Sequence, residues 1–347
     1  MKQLKFVKKF KLRFYILTIT LLVSLIIFPW QQLYKTDESS IATVAEEVVK
    51  TTVVAEPVQP IPLDIKLNNK KVVLGDKLFH DPQLSHNNTI SCASCHGLKT
   101  GGVDRSPFSF GINGAVGFFN APTVYNSGFN FKQNWDGRSD TLESQIDSTV
   151  QNPISMGETW PEIVKKLKKS PEYVKVFNDL YSNGITGDNI KDAIATFERS
   201  LYTPNSRFDK FLRGDKNAIT EEEKEGYHIF KDYGCVSCHQ GVNLGGNLFQ
   251  KFGIISDPFA GRKVKKADLG RYNITGNEED RYVFKVPSLR NITLTPPYFH
   301  DGSIKTIEQA IAVMAQYQLG RQLSPEQLDL MSKFLRTLNG EYQGKPL

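Results

Sequence analysis

The sequence predicts a mainly α-helical fold divided between two units with long loops, and three observations carry that prediction. Several segments place apolar residues at helical spacing behind recognisable N-caps, and few sustain a period of two. The pentapeptide Cys-x-x-Cys-His occurs twice, as Cys92-Ala93-Ser94-Cys95-His96 and Cys235-Val236-Ser237-Cys238-His239, and the two copies use all 4 cysteines. Stretches rich in Gly, Asn and Pro at 97–130, 241–280 and 286–303 read as loops rather than further helices.

The N-terminus is different in kind. Lys2, Lys5, Lys8, Lys9, Lys11 and Arg13 precede Phe14–Trp30, a run of 17 residues without a charge. This is the pattern of a positive-inside membrane segment. An uncleaved anchor over residues 1–30 is favoured over a cleaved signal peptide, because the run exceeds a usual apolar core and no small-x-small cleavage pattern follows. Either reading exports the remainder. Those six cations account for the whole formal charge of +6, leaving 37 Lys plus Arg against 37 Asp plus Glu. The body is near neutral, so nothing argues for nucleic acid as a partner. Residues 31–63, rich in Thr, Val, Ala, Glu and Pro without an amphipathic period, read as a flexible tether. The rest suits two domains, 64–206 and 207–347, each with one pentapeptide.

Within the domains, Trp160 to Tyr181 has helical spacing with a break expected at Pro171. Asp188 is the expected cap of a helix carrying Ile190, Ile194, Phe197 and Leu201. Thr220 with Glu223 forms a capping-box pattern opening the helix that leads to the second pentapeptide. Thr306 with Gln309 opens a helix carrying Ile307, Ala310, Ile311 and Met314 on one face. Ser324, Pro325 and Gln327 start the last, expected to end near Gly340.

The pentapeptides carry the chemistry. The two thiols of each copy add across the vinyl groups of one haem, and the adjacent His reaches the iron as proximal ligand. A redox dithiol needs no trailing His, and a four-cysteine zinc site needs neither His. Two c-type haems therefore follow, one on Cys92, Cys95 and His96, the other on Cys235, Cys238 and His239. The fold becomes two small all-α haem domains, with the long loops wrapped around cofactors that replace part of each core. Such haems are attached outside the bacterial inner membrane, so the expected location is the periplasm, tethered by the N-terminal helix.

Over residues 64 to about 340 the chain resembles the bacterial di-haem cytochrome c peroxidases. The resemblance rests on LGDKLFHDPQLS, NAPTVYNSGFNFKQNWDGR, GCVSCHQGVNLGGNLFQKFG and VPSLRNITLTPPYFHDGS. A related branch is the di-haem oxygenase that matures methylamine dehydrogenase. The resemblance implies two cytochrome c domains whose haems face a shared interface. The second haem then transfers electrons, with His239 and Met314 as ligands; a thioether ligand raises the potential, as an electron acceptor needs. The other internal methionines, Met156 and Met331, lie outside the matching segment. The first haem is the peroxidatic one, on His96. Many members hold an inhibitory His in the following loop, and Ile112 matches it here; the chain has no His between His96 and His228. The expectation is a first haem open to peroxide without prior reduction.

Other family positions map one by one. Trp135 matches the tryptophan between the haems, and Gln145 the distal glutamine. Where the family has an acid for peroxide cleavage, this chain has Ser155. Cleavage needs a proton moved between the two oxygens, which a carboxylate does well and a hydroxyl poorly. Glu158 is the nearby candidate to replace it, against its reading as a solvated loop acid. One calcium ion is implied, held by the Asn120 side chain and the Thr295 and Pro297 carbonyls, a donor set that suits calcium. His80 and His86 read as surface or haem-edge residues, His228 as a helix residue, and His300 as a hydrogen-bonding residue near the second haem. The expected partners are hydrogen peroxide and a small donor cytochrome c or cupredoxin, with a homodimer common in the family. Two rivals are weighed. An oxidase or oxygenase acting on a protein partner gains from Ser155 and loses from Met314, where the maturating oxygenase has a Tyr. A plain electron carrier needs Met156 as sixth ligand to the first haem.

Overall fold

Two helix crossings, built alike, organise the structure. The computed structural model describes residues 56–347. In the first crossing, α1 (Asn69–Phe79) lies across α6 (Gly187–Ser200). Gly75 makes this possible, because a Cβ there would overlap the Ala193 carbonyl oxygen and crowd the Phe197 Cβ. In the second, α8 (Glu221–Asp232) lies across α11 (Pro325–Arg336), and a Cβ on Gly226 would overlap the Leu330 carbonyl and crowd Phe334. Phe197 and Phe334 are buried, contributing about 1.5–3 kcal/mol each. The sequence shows no repeat beyond the two pentapeptides; the structure adds a matched glycine and phenylalanine to each.

The first core gathers α1, the pentapeptide turn α2 (Cys92–Cys95), α3 (Leu142–Gln151), α4 (Trp160–Leu167), α5 (Pro171–Leu180) and α6, around Leu78, Phe79, Ile146, Phe177 and Ile194. The break at Pro171 falls as expected, with Pro171 opening α5 behind the Ser170 cap. One cap moves. Thr186, not Asp188, caps α6, its hydroxyl accepting from the Asn189 N–H at 3.2 Å. Asp188 sits in the first turn instead, where its charge is favourable at the positive end of the helix dipole.

The second core gathers α7 (Arg207–Leu212), α8, α10 (Ile307–Leu319) and α11 around Phe208, Tyr227, Phe230, Ile311 and Phe334. The capping boxes at Thr220 and Ser324 form, and the Thr306 hydroxyl accepts from the Gln309 N–H at 3.2 Å. Helix α11 stops at Arg336, before Gly340, and the Thr337 hydroxyl turns back onto the Phe334 carbonyl at 2.6 Å. The long loop between α8 and α10 holds β1 (Phe249–Lys251), the single turn α9 (Tyr272–Thr275) and β2 (Val283–Lys285). Strands β1 and β2 pair antiparallel, Phe249 opposite Lys285. A short hairpin of β3 (Glu341–Tyr342) and β4 (Lys345–Pro346) ends the chain.

Both ends cross the expected boundary at 206/207. The last residues of the expected tether are docked, with Val58 and Ile61 buried in or beside the second core. The Gly241 N–H donates to the Pro57 carbonyl at 2.8 Å, the Ile61 N–H to Asp209 Oδ1 at 3.1 Å, and Arg290 Nη2 to the Gln59 carbonyl at 2.9 Å. Two apolar residues among prolines give no period, so the sequence hides this strap. At the other end, Tyr342 and Leu347 pack on the first core, Tyr342 edge-on to Tyr125 at 5.4 Å. Residues Pro57–Leu347 consequently form one unit with two cores. The expected membrane segment and most of the tether lie outside the described residues. Among the described residues no helix is long and apolar enough to cross a membrane.

Candidate active site

Each pentapeptide presents its His in the same way. His96 Nδ1 lies 3.2 Å from the Gly102 carbonyl, and His239 Nδ1 lies 3.0 Å from the Leu244 carbonyl. A carbonyl only accepts, so Nδ1 carries the proton and Nε2 keeps its lone pair, as an iron ligand requires. Burial pushes both imidazoles below their ordinary pKa, His239 to about 4, so both rings are neutral at pH 7. Burial also raises the thiols of Cys92, Cys95 and Cys235, the last to about 11. Thiolates are disfavoured there, the opposite of a redox dithiol or a zinc site. The residues fit two haems held by thioethers and neutral imidazoles.

Around His239 a cavity of about 490 Å³ opens between the second core and the loop at 120–135. Phe230, Ile311, Leu323 and Leu335 give it apolar walls, and Met314 faces it from α10. His239 and Met314, 75 residues apart in sequence, thus border one space, as the resemblance implies. Met331 borders it too, a second thioether that the sequence gives no reason to place there. Trp135 lines the same cavity, its indole N–H donating to the Asn120 carbonyl at 2.9 Å. Asn120 is buried; its amide Nδ2 donates to the Ser106 carbonyl at 2.8 Å, and with Thr295 and Pro297 it edges the cavity. His300 is buried and bonds Asp268 at 2.8 Å, so it does hydrogen-bond; Arg262 in turn pairs with Asp268 at 2.9 Å.

Near the first pentapeptide, Ile112 packs into the turn that carries Ser155. Its N–H donates to the Ser155 carbonyl at 2.9 Å, and a Cβ on Gly157 would crowd its Cδ1. The two positions that the resemblance singles out, Ile112 and Ser155, are therefore neighbours. Gln145 is half-buried on α3, its amide bonded to Thr149 at 2.9 Å. Glu158 is neither solvated nor free to move. It is buried, 2.7 Å from Lys166 Nζ, and accepts the Thr159 N–H at 3.0 Å. Burial acts to raise its pKa, yet the hydrogen bonds and charge of Lys166 win and hold the carboxyl below the usual range. An ionised acid has no proton to give. His80 bonds the Asp76 carbonyl on the surface at 2.9 Å, His86 and His228 are exposed, and Met156 is buried in the first core.

The sequence model of the family described as di-haem cytochrome c peroxidase matches residues 69–217. Cytochrome c551 peroxidase of Nitrosomonas europaea is 45% identical over 287 residues, covering 82% of this chain and 85% of that protein. This chain belongs to the di-haem cytochrome c peroxidase family. Cytochrome c peroxidase Ccp of Escherichia coli is 49% identical over 288 residues, 83% of this chain; the chain spans only 62% of that relative's length. A crystal structure of a MauG-like protein associated with microbial copper homeostasis superposes with a TM-score of 0.71 at 29% identity, covering 81% of this chain and 93% of that one. The family's two c-type haems are those the pentapeptides hold.

Sequence reasoning missed Lys285 and Glu198, both buried. Lys285 borders the cavity, 6% exposed, with no hydrogen-bond or ion-pair partner among the described residues, and burial holds it down to about 8. Glu198 is buried on α6. Both were open to detection, Lys285 as a cation inside Val-Phe-Lys-Val and Glu198 as an acid four residues after Ile194 on an apolar face.

Proposed function

We propose that this di-haem cytochrome c peroxidase reduces hydrogen peroxide to water with two electrons from a small cytochrome c or cupredoxin, with its first haem open for peroxide and its second taking electrons from the donor. The observation that carries this is the single cavity shared by His239, Met314 and Trp135. When bound, haem iron supplies the open coordination position and the one-electron steps. The chain supplies the rest. His239 and Met314 provide an imidazole and a thioether, the pair that suits an electron acceptor. Trp135, fixed by the Asn120 carbonyl, puts an aromatic ring in the wall of that cavity. Ile112 fills the loop position where the family holds an inhibitory His, and its side chain cannot ligate iron. Gln145 orients peroxide through its amide.

Calcium belongs to the same reading. The Asn120 amide nitrogen is held by Ser106, which leaves Oδ1 as the ligand, joined by the Thr295 and Pro297 carbonyls. The ion would thereby steady the residue that fixes Trp135. The N-terminal run of cations and apolar residues tethers the body to the inner membrane on the periplasmic side, and a homodimer is the expected assembly. The test is peroxide-dependent oxidation of reduced small cytochromes by the haem-loaded protein. Turnover supports the reading, and inertness toward every such donor contradicts it.

A further inference from the structure

Lys285 has no role in the chemistry described above, yet its charge is out of place. The cavity around His239 has no Asp or Glu in its lining, and its Lys and Arg side chains are Lys251, Lys285 and Arg290. Lys251 is exposed to solvent, and Arg290 is matched by Asp209 at 2.9 Å. Lys285 is 6% exposed, its ammonium has no partner among the described residues, and burial is the whole cause of its depressed pKa, with no carboxylate acting on it. Among the described residues, the sealed side-chain polar atoms that lack a partner are Ser127 Oγ, Glu198 Oε2 and Asp209 Oδ2. Lys285 Nζ is not one of them, so it still reaches accessible space, and the space that Lys285 borders is this cavity. Backbone sets its place. Lys285 ends β2 opposite Phe249 and donates its own N–H to the Trp135 carbonyl at 2.8 Å.

A cation is rarely held in an apolar pocket without an anion to match it. With no acid in the lining, the anion must come from what fills the cavity. A c-type haem has an apolar macrocycle, which suits the walls, and two propionate carboxylates, which supply the acid the lining lacks. We propose that Lys285 positions the second haem by pairing its ammonium with one of the propionates. The proposal rests on a haem bound at His239 and goes beyond the peroxidase reading, because it holds for any redox role of that haem. A cation beside the haem favours the ferrous form, which carries one positive charge fewer, and so raises the potential in the same direction as a thioether ligand. The strand that carries this charge is also the one bonded to Trp135, so one piece of backbone places both.

The test uses the haem-loaded full chain with its K285M and K285R variants, and the first readout is the potential of the second haem. Methionine keeps most of the stem and removes the charge. The low-spin signal of that haem should persist while its reduction equilibrium shifts about tenfold toward the oxidised form, a fall of about 59 mV for one electron. Arginine restores a cation, and the potential should return most of the way. A K285M protein whose potential equals that of the wild type overturns the proposal. The second readout is a crystal structure of the haem-loaded wild type, which needs no variant and decides even if both substitutions prevent haem uptake. Lys285 Nζ within about 3.2 Å of a propionate oxygen of the second haem supports the proposal. Nζ on the iron, on a small solution anion or on water alone overturns it. Neither readout involves peroxide, so inertness toward every donor contradicts the peroxidase reading while these measurements still decide on Lys285.

Discussion

Replacing Lys166 by Met tests whether Glu158 is structural. Lys166 Nζ lies 2.7 Å from Glu158 and also donates to the Ser85 carbonyl at 2.7 Å and the Gln83 carbonyl at 3.2 Å, stitching α4 to the loop before Cys92. Methionine keeps most of the aliphatic stem and removes the ammonium. Glu158, 5% exposed, is then left with the Thr159 N–H and a distant His86 at 3.8 Å. Orphaning one member of a fully buried pair costs about 3–5 kcal/mol. Lys166 is 19% exposed at its side chain, which reduces the expected loss to about 2–3 kcal/mol at pH 7. For a unit of this size that lowers Tm by roughly 5 °C. The pH dependence follows from the sign of the shift. The folded-state pKa of Glu158 is depressed, so its contribution is present above the ordinary glutamate range and disappears as pH falls through the folded value. Circular-dichroism melts of the haem-loaded protein should show a gap between wild type and K166M at pH 7 that narrows as pH falls below the ordinary glutamate range. Equal melting at pH 7, or a gap that does not narrow in acid, refutes the pairing argument. A folded E158Q that loses peroxide turnover refutes the structural role.

Other perturbations have equally definite outcomes. Gly75→Ala and Gly226→Ala force a Cβ into a helix carbonyl on the opposite helix, and each should cost about 1–3 kcal/mol in denaturant titration; losses under about 0.5 kcal/mol would discount the crossings. Met314→Leu should turn the second haem high-spin in the oxidised protein, lower its potential and slow donor oxidation more than tenfold, while peroxide still binds the first haem. An unchanged low-spin signal would assign the ligand to another residue, Met331 being the other thioether that lines the cavity. Deleting residues 57–61 removes the bonds to Gly241, Asp209 and Arg290; protection of the Gly241 amide from hydrogen exchange should fall, and unaltered protection would show that the strap is passive.

The pentapeptides made the haem ligands legible, because attachment chemistry fixes both the residue types and their spacing. Helix starts were legible wherever a Thr or Ser meets a Glu or Gln three residues later, as at Thr220 and Ser324. Where a Thr and an Asp compete, at 186 and 188, local pattern does not choose between them. The crossings were hidden, since a lone Gly such as Gly75 becomes meaningful only beside the carbonyl it approaches. The strap was hidden for lack of period, and the exchange of chain ends between cores is a tertiary fact with no local signature. Glu158 shows the deeper limit. Its position beside Ser155 in sequence gave it a candidate catalytic role, and only the placement of Lys166 on the following helix shows that its charge is already committed.

Low-temperature EPR of the fully oxidised, haem-loaded protein before and after adding peroxide tests the peroxidase reading most directly. With Ile112 in the loop position of the inhibitory His and a His–Met pair on the second haem, one high-spin and one low-spin signal are expected, the high-spin signal being lost to peroxide. Two low-spin signals indifferent to peroxide would contradict it and return the chain to the reading as an electron carrier.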